Sequence, residues 1–256
     1  MKFIKSLLLA GAVLLSGAAQ AEKITVAAAA DLKFAMDEIA VAFKKANPTD
    51  AVEIIYGSSG KFHTQIRQGA PYDLFFSADI DFPRELAKAG FAGSPVVPYA
   101  VGRIVLWSPT VDASKLTLDD LADPKFTRIA IANPRHAPYG KRAEEALRVR
   151  GLWEKVEAKL VYGENIAHTA QFVQTGNAEI GIIALSLAMS PELASKGGYY
   201  LIPDKLHQPL EQGFIITKRA EGNGLARRFA DTMSSPAVRS IMTRYGFVLP
   251  GERLGK

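Results

Sequence analysis

Residues 24–32, Ile-Thr-Val-Ala-Ala-Ala-Ala-Asp-Leu, decide the fold class. A β-branched run gives way to alanines, and the next segment places Leu32, Met36, Ile39 and Phe43 on one helical stripe. The same order of strand, small turn and helix recurs along the chain, which predicts an α/β fold with mainly parallel strands flanked by helices. The strand candidates are residues 24–27, 52–56, 74–77, 101–107, 129–132, 160–162, 180–184, 199–202 and 214–217.

The first residues indicate the compartment. Lys2 and Lys5 precede an apolar run over residues 7–15, and Ala19-Gln20-Ala21 offers a small-x-small cleavage site. A membrane anchor or a buried first strand is the alternative, but the run is much shorter than the roughly 20 residues of a spanning helix. We therefore predict that residues 1–21 are a signal peptide and that the mature protein is free in the periplasm.

Composition excludes several functional classes. The chain has no cysteine, which excludes disulfides, zinc-thiolate sites and thiol catalysis. The formal charge is +5, and basic and acidic residues are interleaved rather than clustered on one stripe. A nucleic-acid partner is therefore not expected.

Two extended segments are candidates for crossovers between two lobes. They are residues 101–107 and the strand around Phe214, because no flexible linker divides the chain. If they are crossovers, lobe 1 is discontinuous, with residues 22–102 plus 213–256, and residues 103–212 form lobe 2.

The turns between strands and helices are the places where the chain can bind a ligand. In an open α/β sheet such turns lie in the crevice at the carboxyl ends of the strands, and the following helix starts present N–H groups that bind anions. Four turns qualify, but Ser and Asp are also common N-caps, so capping remains the alternative for each polar side chain. The four turns are residues 27–31, 57–60, 133–140 and 164–167.

A secreted hydrolase is the alternative from another class. The serine turn lacks the nucleophile-elbow pattern because Lys61 stands where a glycine is required. His63, His136, His168 and His207 are scattered without metal-ligand spacing. We therefore predict a protein that is not an enzyme and that needs no cofactor and no metal cation.

The chain resembles the periplasmic molybdate-binding proteins. The most specific segment is Gly-Ala-Pro-Tyr-Asp-Leu-Phe-Phe-Ser-Ala-Asp at residues 69–79. The resemblance extends through the mature chain over residues 24–32, 57–60, 65–66, 69–79, 99–108, 132–134, 137–140 and 245–250. It implies a type II periplasmic binding protein fold, with two lobes joined by two crossover strands.

The resemblance also implies a function. The family holds a tetrahedral oxyanion, molybdate or tungstate, by hydrogen bonds alone and delivers it to the permease of an inner-membrane ABC transporter. By position, the oxyanion-binding residues are Ala30, Asp31, Ser59, Tyr139 and Ile166. We expect a monomer, and phosphate or sulfate remains the alternative ligand.

Asp31 departs from the pattern, since relatives usually carry a neutral donor such as Ser or Asn at this position. An ionised carboxylate repels a dianion and has no proton to donate. Asp31 can turn away to cap its own helix, it can be protonated, or the ligand can carry a proton that Asp31 accepts. Of these three, the sequence favours capping.

Overall fold

The computed structural model of the protein describes residues 22–252. The predicted signal peptide at residues 1–21 lies outside the described residues. The strands are β1 (Lys23–Ala29), β2 (Ala51–Gly57), β3 (Leu74–Ser77), β4 (Val97–Gly102), β5 (Ile104–Trp107), β6 (Ile129–Ala132), β7 (Leu160–Gly163), β8 (Ile180–Ala184), β9 (Tyr199–Leu201) and β10 (Leu210–Ile216). The α-helices are α1 (Lys33–Ala46), α2 (Ser59–Arg67), α3 (Asp81–Lys88), α4 (Pro138–Val149), α5 (Trp153–Val156), α6 (Ile166–Gln174), α7 (Leu185–Ala188), α8 (Pro191–Ala194), α9 (Gly224–Thr232) and α10 (Pro236–Arg244).

Two five-stranded sheets form two lobes with the same topology. Lobe 1 contains the sheet β2-β1-β3-β10-β4, and lobe 2 contains the sheet β7-β6-β8-β5-β9. Three strands in each sheet are parallel, and the fourth in order, β10 or β5, pairs antiparallel with both of its neighbours. The predicted α/β fold with two lobes is confirmed.

The sheets are mixed rather than mainly parallel in their pairing. Each sheet has two parallel and two antiparallel strand pairs, because the strand that enters from the other lobe runs against its neighbours. The sequence pattern did not show this, since a buried run has the same composition in either direction.

The central strand β3 shows why lobe 1 has helices on both faces of its sheet. Successive side chains of a strand point to opposite faces. Leu74 and Phe76 pack in the core that includes residues of α1, α9 and α10, whereas Phe75 packs with residues of α2 and α3. All four residues of β3 are buried, as expected for a strand covered by helices on both sides.

The chain passes between the lobes in two extended segments. The predicted strand 101–107 is divided at Arg103, because β4 belongs to the first sheet and β5 to the second. The return passage follows β9 and ends in β10, which begins at Leu210, four residues before the predicted strand. The lobe boundaries at residues 102 and 213 stay predictions. Within residues 22–252, no helix has the length and apolar character needed to cross a membrane.

Candidate functional site

Four helix starts, two from each lobe, meet around one cavity. The chain after β1 forms a 3-10 turn at Ala30–Leu32, and α2 begins at Ser59 on the same lobe. From lobe 2, α4 begins at Pro138 and α6 at Ile166. The residues predicted to bind the oxyanion all line this cavity, namely Ala30, Asp31, Ser59, Tyr139 and Ile166.

The cavity is small, and residues of both lobes line it. Its volume is about 10 Å³, roughly the space that one water molecule needs and far below the roughly 300–1,000 Å³ of pockets for drug-sized ligands. Ala30 of lobe 1 packs in the same apolar cluster as Tyr139 and Ile166 of lobe 2. The two lobes therefore meet around the cavity, as in the closed form of a cleft.

The helix starts present backbone N–H groups rather than capped ends. The residues before the 3-10 turn, α2 and α4 make no side-chain capping hydrogen bond in the described structure. Of the four helix starts at the cavity, only that of α6 is capped, because the Asn165 side chain accepts a hydrogen bond from the His168 N–H. Uncapped starts carry a partial positive charge and suit an anion without a cationic side chain.

Ser59 is positioned to donate its hydroxyl hydrogen. Its side chain is fully buried, and its Oγ accepts a 3.0 Å hydrogen bond from the backbone N–H of Ala78. Because Ser59 Oγ accepts the hydrogen bond from Ala78, its hydroxyl hydrogen can be donated to another acceptor. Because Ser59 lines the cavity, a guest oxygen there is a suitable acceptor.

Asp31 does not cap its helix, so the favoured sequence interpretation was wrong. Its Oδ2 accepts hydrogen bonds from the Tyr139 hydroxyl at 2.9 Å and from Gln212 Nε2 at 2.8 Å. The Ser186 hydroxyl donates to the Asp31 backbone oxygen at 2.7 Å. Tyr139 and Ser186 belong to lobe 2, so tertiary contacts override the local preference for capping.

Burial shifts Asp31 towards its neutral form. Asp31 is 1% exposed, and burial raises the pKa of its carboxyl group to about 6 although the hydrogen bonds from Gln212 and Tyr139 lower it. Its Oδ1 is buried and has no hydrogen-bond partner in the described residues. Burial, with the nearby Asp31 charge, also raises the pKa of Tyr139 well above its usual value, so the phenol remains a donor.

Gln212 contacts two of the predicted site residues, Asp31 and Tyr139, and was missed in the sequence. It is fully buried in β10, and its Nε2 also lies 3.1 Å from the Tyr139 hydroxyl oxygen. The predicted strand began at Phe214 and so left Gln212 outside. A polar amide inside an apolar strand was the available signal, because a buried polar group needs partners.

Gly102 lies where the chain leaves lobe 1, and its lack of a side chain leaves room for the Tyr139 hydroxyl and the Gln212 amide. A Cβ atom on Gly102 would lie 2.6 Å from Gln212 Nε2 and would also overlap the Tyr139 hydroxyl. Any larger side chain at position 102 must therefore displace the donors to Asp31.

A second set of contacts joins the lobes at the mouth of the cleft. The Gly60 N–H donates to the His136 backbone oxygen at 3.0 Å, and Ser58 Oγ is hydrogen-bonded to His136 Nδ1 at 3.0 Å. Lys61 and Glu164 form an ion pair across the same gap. His136 is therefore hydrogen-bonded at the lobe interface.

The cavity contains no cationic side chain. Among the residues that line it there is no Lys, Arg or His. In the described range 22–252, no group of three or more His, Asp or Glu residues is arranged to hold a metal ion. The groups that the cavity presents are hydroxyls, backbone amides and one carboxyl.

Comparison with known proteins gives a consistent result. Residues 24–248 match the family model described as bacterial extracellular solute-binding protein. The molybdate-binding protein ModA of Azotobacter vinelandii is 38% identical, with 93% of this chain and 95% of that protein covered. ModA of Rhodobacter capsulatus is 35% identical, with 90% of each chain covered.

A solved structure agrees with these relatives. The periplasmic molybdate-binding protein of Azotobacter vinelandii superposes with a TM-score of 0.83 at 32% identity, and the match covers 89% of this chain and 99% of that one. The two lobes and the cavity between them are consistent with this likeness. The chain belongs to the family of bacterial extracellular solute-binding proteins.

Proposed function

We propose that this protein binds a tetrahedral oxyanion, molybdate or tungstate, in the periplasm and delivers it to an ABC transporter of the inner membrane. The observation that carries the proposal is the small cavity between the lobes, which is lined by uncapped helix starts from both lobes and by no basic side chain. The relatives that match over nearly the whole chain are named as molybdate-binding proteins.

The proposed ligand contacts come from both lobes. Lobe 1 contributes Ala30, Asp31 and the Ser59 hydroxyl, and lobe 2 contributes residues at the starts of α4 and α6, Tyr139 and Ile166. Because the donors belong to different lobes, an open cleft offers each of them to solvent and a closed cleft directs them to one guest. Release to the transporter then requires the lobes to separate.

The role of Tyr139 differs from that of a simple ligand donor. Its hydroxyl hydrogen is directed to Asp31 Oδ2, so the hydroxyl orients the carboxyl while the start of α4 contributes a backbone amide. The remaining members of the site present hydrogens without formal charge. Selection among dianions of equal charge then depends on cavity size and on the number of satisfied donors.

The test is titration calorimetry of residues 22–256 with molybdate, tungstate, sulfate and phosphate. We expect tight binding of molybdate and tungstate. Sulfate, whose bonds are shorter, should leave some donors unpaired, and two unpaired donors at about 1–3 kcal/mol each weaken binding roughly a hundredfold or more. Binding of phosphate without molybdate or tungstate would contradict the ligand assignment.

The hydrolase alternative is tested in the same preparation. Turnover of a chromogenic ester or phosphate would favour an enzyme, whereas anion-dependent thermal stabilisation without turnover supports a binding protein. The relatives that match this chain are binding proteins by name.

A further inference from the structure

Asp31 is the one carboxyl among the residues that line the cavity. Its two oxygens have different surroundings. Oδ2 accepts from Tyr139 and Gln212, whereas Oδ1 is buried without a hydrogen-bond partner in the described structure. A carboxylate oxygen that is both buried and unpaired is costly, and a hydrogen on that oxygen converts it into a donor.

The groups that face Asp31 offer no positive charge. Tyr139 on α4 and Tyr99 on β4 are the titratable neighbours, and burial raises the pKa of both phenols well above the usual value, so both are neutral. The 3-10 turn also packs against α6 and α7, which present Ile166 and Ser186.

Gln212 from β10 is neutral as well. On α1, the adjacent Lys33 pairs with Asp37 instead of Asp31. Nothing near the carboxyl can therefore neutralise both it and a second anion.

A doubly charged guest beside an ionised Asp31 is repelled, because like charges in a closed, low-dielectric site interact strongly. A proton shared between the Asp31 carboxylate and a guest oxygen removes this repulsion. With that hydrogen on Oδ1, Oδ2 still accepts from Tyr139 and Gln212, and Oδ1–H donates to a guest oxygen. We propose, on the basis of the proposed function, that Asp31 and the bound oxyanion share one proton, so that the site takes up a tetrahedral oxyanion together with one hydrogen.

The proposal defines the ligand class by its proton content. Molybdate, tungstate and sulfate are fully deprotonated near neutral pH, so the proton must come from solvent when the cleft closes, and no other bond forms or breaks. A monohydrogen anion such as hydrogenphosphate brings its own proton. The pKa of Asp31 is already raised to about 6 by burial in the closed site, and the negative charge of a guest raises it further.

The consequence is a dependence of affinity on pH. In an open cleft Asp31 is in contact with water and ionises near its ordinary pKa of about 4. Where the open form is ionised and the bound form is protonated, binding consumes one proton, and the Kd for a full dianion rises about tenfold per pH unit. We expect this slope for molybdate between pH 6 and 8.

The experiment is calorimetry of the mature wild-type protein with molybdate at pH 6, 7 and 8. At pH 7 the titration is repeated in two buffers of different ionisation enthalpy, because the difference in heat gives the number of protons taken up. We expect about one proton per molybdate. This measurement needs no variant, so it decides the proposal even if substitutions impair folding.

The variant Asp31→Asn places a permanent hydrogen where the shared proton is proposed. Its amide can accept from Tyr139 and Gln212 and donate to the guest, so we expect pH-independent binding of molybdate, at least tenfold tighter than wild type at pH 8. The control Asp112→Asn alters an exposed carboxyl of lobe 2 and should keep the wild-type slope.

The failures of the two proposals are distinguishable. If wild type binds molybdate with no proton uptake and a flat pH profile, the shared proton is excluded and oxyanion binding stands. If neither wild type nor Asp31→Asn binds molybdate, tungstate, sulfate or phosphate between pH 5.5 and 8.5, both proposals are overturned.

Discussion

Two sets of contacts hold the lobes together, and they differ in burial. The inner set joins Asp31, Tyr139 and Gln212, which are 1%, 2% and 0% exposed. The mouth set includes the ion pair of Lys61 and Glu164, whose side chains are each about half exposed. The two sets lie on the same cleft, but water competes for the ion pair of the mouth set and not for the hydrogen bonds of the inner set.

This difference indicates which contacts control ligand binding. A buried hydrogen-bonding group that loses its partner costs about 1–3 kcal/mol, and more when the group is charged. An exposed ion pair contributes about 0–1 kcal/mol and is screened by salt. We therefore expect the affinity for the oxyanion to depend mainly on the inner set, and contacts of the mouth set to change it only slightly.

The largest expected effect is that of Gly102→Ala. The added Cβ overlaps the Tyr139 hydroxyl and approaches Gln212 Nε2, so both donors must move away from Asp31. A methyl group forced into a packed site costs up to about 3 kcal/mol, which corresponds to roughly a hundredfold weaker binding of molybdate. Calorimetry measures the effect.

Gly224→Ala is the matched control, because the nearest atom to its added Cβ is the Arg228 guanidinium Nη1 at 3.3 Å. This variant should bind molybdate as wild type does. Unchanged affinity in Gly102→Ala would show that the inner set of contacts does not control the affinity for molybdate.

An intermediate effect is expected for Ser59→Ala. The substitution removes one proposed donor to the oxyanion and leaves the buried N–H of Ala78 without its acceptor. We expect molybdate binding to weaken by about 1–3 kcal/mol, measured by calorimetry at pH 7. The exposed Ser195→Ala is the control. If Ser59→Ala retains wild-type affinity, Ser59 has no part in the site.

The smallest effect is expected for Lys61→Ala. Loss of the ion pair with Glu164 should change the affinity for molybdate by less than about 1 kcal/mol at low salt. The difference should vanish near 1 M salt, where the screening length is about 3 Å. An effect larger than that of Ser59→Ala would reverse the ranking of the two contact sets.

Much of the fold followed from local patterns. Nine strand candidates correspond to strands of the structure, although the candidate at residues 101–107 covers parts of β4 and β5. Period-two and helical patterns depend on neighbours within a few residues, so they can be recognised in one sequence. The pairing direction of β5 and β10 was not recognised, because it depends on strands that are far apart in the chain.

The lining of the cavity was predicted only in part, because local patterns are visible in one sequence and contacts between distant residues are not. The helix starts that carry Ala30, Ser59, Tyr139 and Ile166 were found because strand ends and small residues mark them locally, and the family resemblance selected them among many turns. Gln212 was missed because its strand start was misplaced.

The sequence by itself determined the alternation of strands and helices, the absence of cysteine chemistry and the turns from which a site could be built. Only the tertiary structure decided the orientation of Asp31. Its partners Tyr139 and Gln212 lie 108 and 181 positions away, and local preference favoured a helix cap. A buried carboxyl follows the donors that surround it in space, and those are fixed only when the two lobes close.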